Sequence, residues 1–274
     1  MRLLALIPEA SCTRACLDAA AAAAGIDPAA RIEALHVKVD PRVAGRLDEE
    51  VALYQARDHY EGSADERARA TWAEFEAWIA TAPPEIASRI DRREVAGCEQ
   101  TTVVREASGT GLLVMARPHD LDGHDALYAA LFMSGKPLLL VPGNWKSQAG
   151  ASLERHMLIA WKPTVQARRA VAGALPWLRY ADKVTVLTVT KRGEHDDPSE
   201  LLALLAREGV TASALKGEAI NGRTSARILA AAGELAASCI VMGAYRHDPL
   251  VEWVLGATTR RVFADTPLPV LTAH

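Results

Sequence analysis

The sequence predicts an α/β protein made of two tandem domains, each built around a mostly parallel sheet. Three observations lead to this prediction. Short apolar runs alternate with amphipathic helical patterns along all 274 residues. The alternation stops in a turn-rich segment at residues 142–154 and then starts again, which indicates an internal duplication. The last part of the chain also places Gly243 after a buried strand and Gly256 before a helix.

The first domain is expected to span residues 1–143. An alanine-rich stretch and a long amphipathic stretch with Trp72, Phe75, Trp78 and Ile79 on one stripe predict its first two helices. The proline pair at 83–84 ends the second of them. Strand and helix signals are weak from there to residue 107. The predicted strands are 3–8, 32–39, 111–116 and 137–141, and the predicted helices are 11–24, 65–80 and 125–134.

The second domain is expected to span residues 155–274, and it repeats the strand–helix alternation of the first. Its apolar runs are longer and more regular, so the alternation is easier to follow. The predicted strands are 157–161, 183–190, 211–215, 238–242 and 268–271, and the predicted helices are 166–180, 198–208, 224–237 and 258–264. With the weak strand signal before residue 107 included, each half contributes five strands.

Composition excludes several classes of function. A net charge of −3 argues against an electrostatic nucleic-acid binder. No stretch approaches the roughly twenty apolar residues of a membrane span, so we expect no membrane partner. The apolar run after Arg2 stops at Pro8, too early for a secretion signal. Four scattered cysteines do not form a disulfide scaffold, and they favour a reducing, cytoplasmic location.

The end of the chain has the pattern of an anion site. A strand that leads through a glycine loop to the start of a helix directs free backbone N–H groups and the helix dipole at one place. Gly243 and Gly256 are the glycines of such a loop. We therefore expect the ligand site of the protein, if it has one, in the second domain.

The chain resembles the universal stress protein family in its tandem, two-domain form. The resemblance extends over nearly all of the chain and is much stronger in the second half. Order and spacing make it specific, since no single piece would suffice. The matching pieces are residues 158–161, 185–189, 240–245, 254–263 and 266–271.

The resemblance implies a doubly wound, Rossmann-like fold of the adenine nucleotide alpha hydrolase-like kind, with a five-stranded, mostly parallel sheet in each domain. In this family the last strand usually pairs with its counterpart in a partner domain. In a tandem chain, residues 137–141 would then pair with 268–271 in an intramolecular pseudo-dimer. Whether a homodimer also forms is left open.

The resemblance also implies a nucleotide site, and this chain departs from it at three points. Lys162 stands where an aspartate normally ends the first strand, Arg246 replaces the middle glycine of the phosphate loop, and Ala257 replaces the hydroxyl residue. A Cβ at position 246 would stand where the backbone should touch phosphate. The positive charges of Lys162, Arg246 and His247 would instead favour the binding of an anion. ATP is the one candidate cofactor, and its candidate residues are Trp161, Lys162, Thr164, Val189, Gly243, Arg246, His247, Gly256, Ala257 and Thr258.

The equivalent loop of the first half, residues 116–125, departs further. Pro118 removes an N–H where phosphate would need one, so we expect a partner domain that binds no nucleotide. The same loop carries His119, Asp120, Asp122, His124 and Asp125. A polar turn is favoured there over a metal site.

Three other patterns are weaker. Residues 217–224 imitate a phosphate loop but lack its lysine, and a plain loop with Asn221 as helix cap is favoured. Cys12 and Cys16 share a helix face, where buried small residues are favoured over metal ligands. His195 and the two aspartates that follow it are interpreted as part of a solvated loop. The alternative is that they contact a divalent ion.

These observations favour a binding or regulatory module of the stress response over a dedicated enzyme. No GxSxG elbow, HExxH helix or paired CxxC motif is present. The favoured hypothesis is a degenerate nucleotide site. The alternatives are a working ATP site with slow hydrolysis and, last, a metal-dependent activity of the His119–Asp125 cluster.

Overall fold

The protein, described by a computed structural model, divides into two compact units. The described residues are 1–39, 59, 62–117, 123–146, 152–190, 197–244 and 256–274, with backbone only at 123–124. The first unit holds Met1–Lys136 and Gly143–Lys146, and the second holds Pro137–Pro142 and Ser147–His274. The strand at the end of the first half of the sequence thus packs with the second unit. The α/β class and the mostly parallel sheets agree with the prediction.

In the first unit, the described residues form four parallel strands in the order β3-β2-β1-β4. β1 and β4 consist almost wholly of buried apolar side chains. β3 lies at the edge and exposes most of its side chains, so it lacks the apolar pattern that a sequence search detects. The strands are β1 (Arg2–Leu6), β2 (Arg31–Lys38), β3 (Ile90–Ala96) and β4 (Leu112–Ala116).

Small side chains and a capping box build the first two helices of this unit. α1 buries both Cys12 and Cys16 without a disulfide, as the sequence predicted. α2 starts at a capping box in which Ser63 and Glu66 satisfy each other's backbone N–H. Trp78 is buried and donates to Asp18 of α1 at 2.7 Å. The helices are α1 (Ala10–Ala24), α2 (Ala64–Ile79), α3 (Pro84–Ala87), α4 (Glu99–Glu106) and α5 (Gly123–Tyr128).

The helix predicted at 125–134 is not a single α-helix. It starts at Gly123 and changes at residues Ala129–Met133 into a π-helix. The Ser134 N–H donates to the Ala129 carbonyl five residues back, at 2.9 Å. This wider turn does not alter the apolar pattern, so periodicity alone could not distinguish it.

In the second unit, six strands are described, in the order β5-β10-β9-β6-β7-β8. All pairs are parallel except β5–β10, which is antiparallel, with Leu139 opposite Leu271. β8 at the edge runs three residues longer than predicted, paired with β7 up to Glu218. The strands are β5 (Leu138–Val141), β6 (Met157–Trp161), β7 (Val184–Thr190), β8 (Ala212–Glu218), β9 (Cys239–Gly243) and β10 (Val270–Ala273).

The described residues of the second unit form four helices. α6 continues through Pro176 in its last turn, and Gly173 allows it to approach Pro137 closely. A Cβ at position 173 would lie 2.6 Å from the Pro137 Cβ. This contact helps to hold β5 in the second unit. The helices are α6 (Val165–Leu178), α7 (Ser199–Arg207), α8 (Thr224–Glu234) and α9 (Ala257–Asp265).

Asn221 is not the cap of α8, contrary to the prediction. The N-cap residue is Arg223, and no side chain caps the helix. Asn221 and Gly222 both have positive φ, 50° and 73°, and the Arg223 N–H donates to the Ile220 carbonyl at 2.8 Å. An Asn–Gly pair favours such a turn of two left-handed residues, and this preference prevails over capping here.

Within the part of the chain that the structure describes, no helix is both long and apolar enough to cross a bilayer.

Candidate functional site

The candidate site lies at the carboxyl ends of three adjacent strands, β9, β6 and β7. Trp161 of β6 is in register with Thr188 of β7. Ala160 is in register with Met242, which places Gly243 beside Trp161 on the other side. The chain order of the strands reverses between β9 and β6. Open α/β sheets bind ligands in the crevice at such a switch point.

The segment between β6 and α6 uses its polar groups locally. The Thr164 hydroxyl accepts from the Ala167 N–H at 3.3 Å and so caps α6. The Thr164 N–H in turn donates to the Lys162 carbonyl at 2.7 Å. The Lys162 side chain is exposed at the position of the family's aspartate. Thr164 therefore acts first as a helix cap.

Gly243 has a packing role that sequence reasoning missed. A Cβ at this position would lie 2.6 Å from the Ala167 nitrogen and 2.8 Å from the Gln166 carbonyl carbon. Both atoms belong to the backbone of the first turn of α6, which cannot move aside as a flexible side chain could. The close approach of α6 to β9 thus requires glycine here, whatever the loop beyond it binds.

An ion pair covers Trp161, which is 4% exposed. The Arg168 guanidinium lies 5.7 Å from the centroid of the indole ring. It donates from both terminal nitrogens to the two carboxylate oxygens of Glu200, at 2.9 Å each. Hydrogen bonding to Arg168 lowers the pKa of Glu200, and the same bond raises the pKa of Arg168. The pair stays ionised and joins α6 to the start of α7.

Sequence reasoning did not find Arg168 or Glu200. The two residues are 32 positions apart and follow no motif. One sequence feature could have pointed to them. Arg168 lies in the first turn of the helix that follows β6, and Glu200 lies in the first turn of the helix that follows β7. Parallel-sheet topology brings such helix starts to one edge.

The start of α9 has a glycine of the predicted loop as its N-cap residue. Gly256 is buried, and the first turn of the helix holds no acidic residue. Ala257 is exposed and Thr258 half-buried. The positive end of the helix dipole at such a start favours a negative charge.

The remaining candidate residues divide into two groups. Val189 is half-buried near the end of β7, one residue after Thr188. Arg246 and His247 lie outside the described residues, as do 245–255 as a whole. That Gly256, Ala257 and Thr258 share a site with Trp161 and Lys162 therefore stays a prediction.

The metal hypotheses find no support in the described residues. Among them, no three histidine, cysteine, aspartate or glutamate side chains are grouped so as to hold a metal ion. Asp125 accepts from the Gln100 amide at 2.9 Å. Asp197 accepts from the Ser199 N–H at 3.0 Å, just before α7. The predicted partners His119, Asp120, Asp122 and His195, and the side chain of His124, lie outside the described part.

A small polar cleft also exists in the first unit, at the carboxyl ends of β1 and β2. Its cations have partners within the unit. Lys38 Nζ lies 2.8 Å from Asp65, and Arg67 donates to the Gly62 carbonyl. The cleft is lined by Pro8, His36, Val37, Lys38, Val39, Ala64, Arg67 and Glu99. All of these lining residues belong to the first unit.

Comparison with known proteins supports the sequence pattern. The sequence model of the universal stress protein family matches residues 154–274. No curated protein is significantly similar in sequence to this chain.

Solved structures resemble the whole chain in fold. A universal stress protein from Archaeoglobus fulgidus DSM 4304 aligns with a TM-score of 0.64 at 16% identity, over 99% of this chain and 95% of that one. A functionally unknown protein from Pseudomonas aeruginosa PAO1 aligns with a TM-score of 0.55 at 16% identity, over 98% of this chain and 91% of that one. At this identity the likeness is one of fold, and it includes the first half.

Proposed function

Because residues 154–274 belong to the universal stress protein family, we propose that this protein is a binding and regulatory module of the stress response whose nucleotide site is degenerate. It acts through its surface rather than as a dedicated enzyme. The first domain is its partner domain and binds no nucleotide. We place it in the cytoplasm, in keeping with its four free cysteines.

One observation carries the proposal: Thr164, Arg168 and Glu200, beside the candidate site, already use their polar groups within the fold. The Thr164 hydroxyl caps α6. The Arg168–Glu200 pair covers Trp161. Lys162, exposed at the position of the family's aspartate, carries the opposite charge. A nucleotide would have to displace these interactions or do without them.

A second function, ATP binding with slow hydrolysis, is favoured by the start of α9. Its N-cap residue is a glycine, which has no side chain to cap the helix, and its first turn holds no acidic residue. A phosphate placed there would gain hydrogen bonds and the favourable end of the helix dipole. In this alternative, the positive charges of Lys162 and Arg246 would attract the phosphates in place of the family contacts that this chain lacks.

Isothermal titration of the full-length protein with ATP and ADP, with and without Mg²⁺, tests the proposal. We expect no saturable binding at nucleotide concentrations up to about 1 mM, the affinity equivalent of about −4 kcal/mol. Restoring the family residues in a Lys162→Asp, Arg246→Gly, Ala257→Ser triple variant should create measurable binding. Saturable micromolar binding by the unaltered protein would contradict the degenerate site.

A glycine variant separates the two functions if the unaltered protein does bind. Gly256→Glu places a carboxylate at the start of α9, where it repels phosphate. Gly233→Glu is the matched control, since Gly233 is exposed on α8 and no atom lies within 4 Å of its Cβ position. Loss of binding in Gly256→Glu alone would establish the ATP-binding alternative.

A further inference from the structure

Two polar atoms are buried beneath the Arg168–Glu200 pair without a hydrogen-bond partner among the described residues. One is the indole Nε1 of Trp161, and the other is the Oγ1 of Thr188. Trp161 is 4% exposed and Thr188 is fully buried. Buried donors of this kind nearly always have a partner in native proteins, because an unpaired one costs the full desolvation of the group.

The two residues are neighbours across the sheet. They are in register on the parallel strands β6 and β7, so their side chains project from the same face of the sheet, with backbones about 4.8 Å apart. Arg168 of α6 lies over the indole ring, which shows that this is the face covered by α6. Both orphaned atoms thus belong to side chains on the same face of the sheet, near the ends of β6 and β7.

The chemistry of the two groups selects what they can bind. An indole N–H is only a donor, and a threonine hydroxyl can donate as well as accept. A cationic guanidinium stands over the same ring. Glu200 neutralises that cation, so the partner need not be an anion. A single acceptor oxygen between the two side chains satisfies both.

We propose that Trp161 and Thr188 form a buried subsite that holds one hydrogen-bond acceptor oxygen, covered by the Arg168–Glu200 pair. The oxygen is that of an ordered water or a carbonyl or similar oxygen of a small ligand. This proposal rests on the proposed function in one respect only: the subsite lies at the ends of β6 and β7, where the candidate site also lies. It does not require that the protein bind nucleotide.

The Trp161 indole proton reports on the subsite directly in ¹⁵N-labelled protein. The chain has six tryptophans, and the signal lost in Trp161→Phe assigns the one of interest. We expect this proton far downfield, protected from exchange, and shifted in Thr188→Val, which removes the hydroxyl at almost constant volume. Thr272→Val is the matched control. It removes another buried, unpartnered hydroxyl, on β10, and should leave the Trp161 signal in place.

Two further readings distinguish the sources of the oxygen. If it belongs to water, the indole proton shows a cross-peak to a long-lived water, and its signal survives unfolding, dialysis and refolding. If it belongs to a ligand, the signal moves after that treatment, and mass spectrometry finds the released molecule.

An upfield indole signal, without a water cross-peak and unaffected by Thr188→Val, would overturn the proposal. A Thr188→Val protein at least as stable as the unaltered one would do the same, since the hydroxyl would then have had no partner to lose. Saturable nucleotide binding by the unaltered protein would contradict only the proposed function, because neither reading of the indole signal depends on added nucleotide.

Discussion

At the scale of single residues, burial controls the chemistry of three of the four cysteines. Burial raises the pKa of the Cys16 and Cys239 thiols to about 12. Burial, then the nearby Glu9 carboxylate, raises the pKa of Cys12. The thiolate is the nucleophile and metal ligand, so these side chains act as small apolar residues of the core.

The raised thiol pKa values predict a loss of stability at high pH. Between the ordinary value of 9.0 and about 12, the unfolded chain releases the Cys16 proton while the folded chain keeps it. The unfolded state then binds fewer protons, so the free energy of unfolding falls as pH rises. This contribution is fully present below pH 9. Urea unfolding at steps from pH 8 to 11 should show a shallower fall for Cys16→Ala.

Cys98→Ala is the control for that series, since Cys98 is only half-buried. Tyrosine and lysine groups titrate in the same pH range. Only the difference between the variants in how steeply the free energy of unfolding falls with pH therefore reports on Cys16. Equal slopes for Cys16→Ala and the unaltered protein would show that the Cys16 thiol ionises as readily in the folded state as in the unfolded one.

Gly243 shows what a residue type can and cannot predict. The sequence pattern correctly predicted that Gly243 comes at the end of a buried strand, and it suggested that this glycine contacts a phosphate. The structure supplies another cause, the backbone of α6 within 2.8 Å of the missing Cβ. A contact between residues almost 80 positions apart leaves no local signal in the sequence, so only the packed structure reveals it.

At the scale of secondary structure elements, the packing of α6 on β9 depends on Gly243. We expect Gly243→Ala to destabilise the protein by about 1–3 kcal/mol, the usual cost of overpacking a core. The first turn of α6 would have to move away from the sheet. Thermal or urea unfolding measures the change, and a shift of Trp161 fluorescence should accompany it.

Gly233→Ala is the matched change at a position without contacts. Gly233 is exposed within α8, and its added Cβ meets no atom within 4 Å. We expect a gain of about 0.5–1 kcal/mol, because alanine favours the helix over glycine. If Gly243→Ala behaved in the same way, the close approach of α6 to β9 would not exist in solution.

Central elements were predictable and peripheral ones less so. β1, β4, β6 and β9 are buried apolar runs whose pattern follows from their position in the sheet. β3 and β8 lie at the edges and expose about half or more of their side chains, so their signals were weak or short. The sequence pattern predicted where the candidate site lies in the second domain. It did not predict that Arg168 and Glu200 pair there, because these residues meet only in the folded structure.

At the scale of the whole molecule, the sequence repeat and the compact units do not share a boundary. β5 ends the first repeat, yet it packs with the second unit. There it pairs along β10, with Leu140 opposite Val270 and Leu138 opposite Thr272. The four residues of β10 are buried. Without β5, one edge of this apolar strand would lose its backbone partner.

This arrangement predicts that two fragments of the second unit differ in behaviour. A fragment of residues 137–274 keeps β5 and the Pro137 contact of Gly173, whereas a fragment of residues 154–274 exposes the edge of β10. Open apolar edges pair with other chains. We expect the shorter fragment to melt at a lower temperature and to aggregate in size-exclusion chromatography. A longer fragment with Leu139→Pro, which removes an N–H from β5, should behave more like the shorter one. Equal melting temperatures and equal elution of both fragments would instead mean that β5 adds nothing to the stability of this unit.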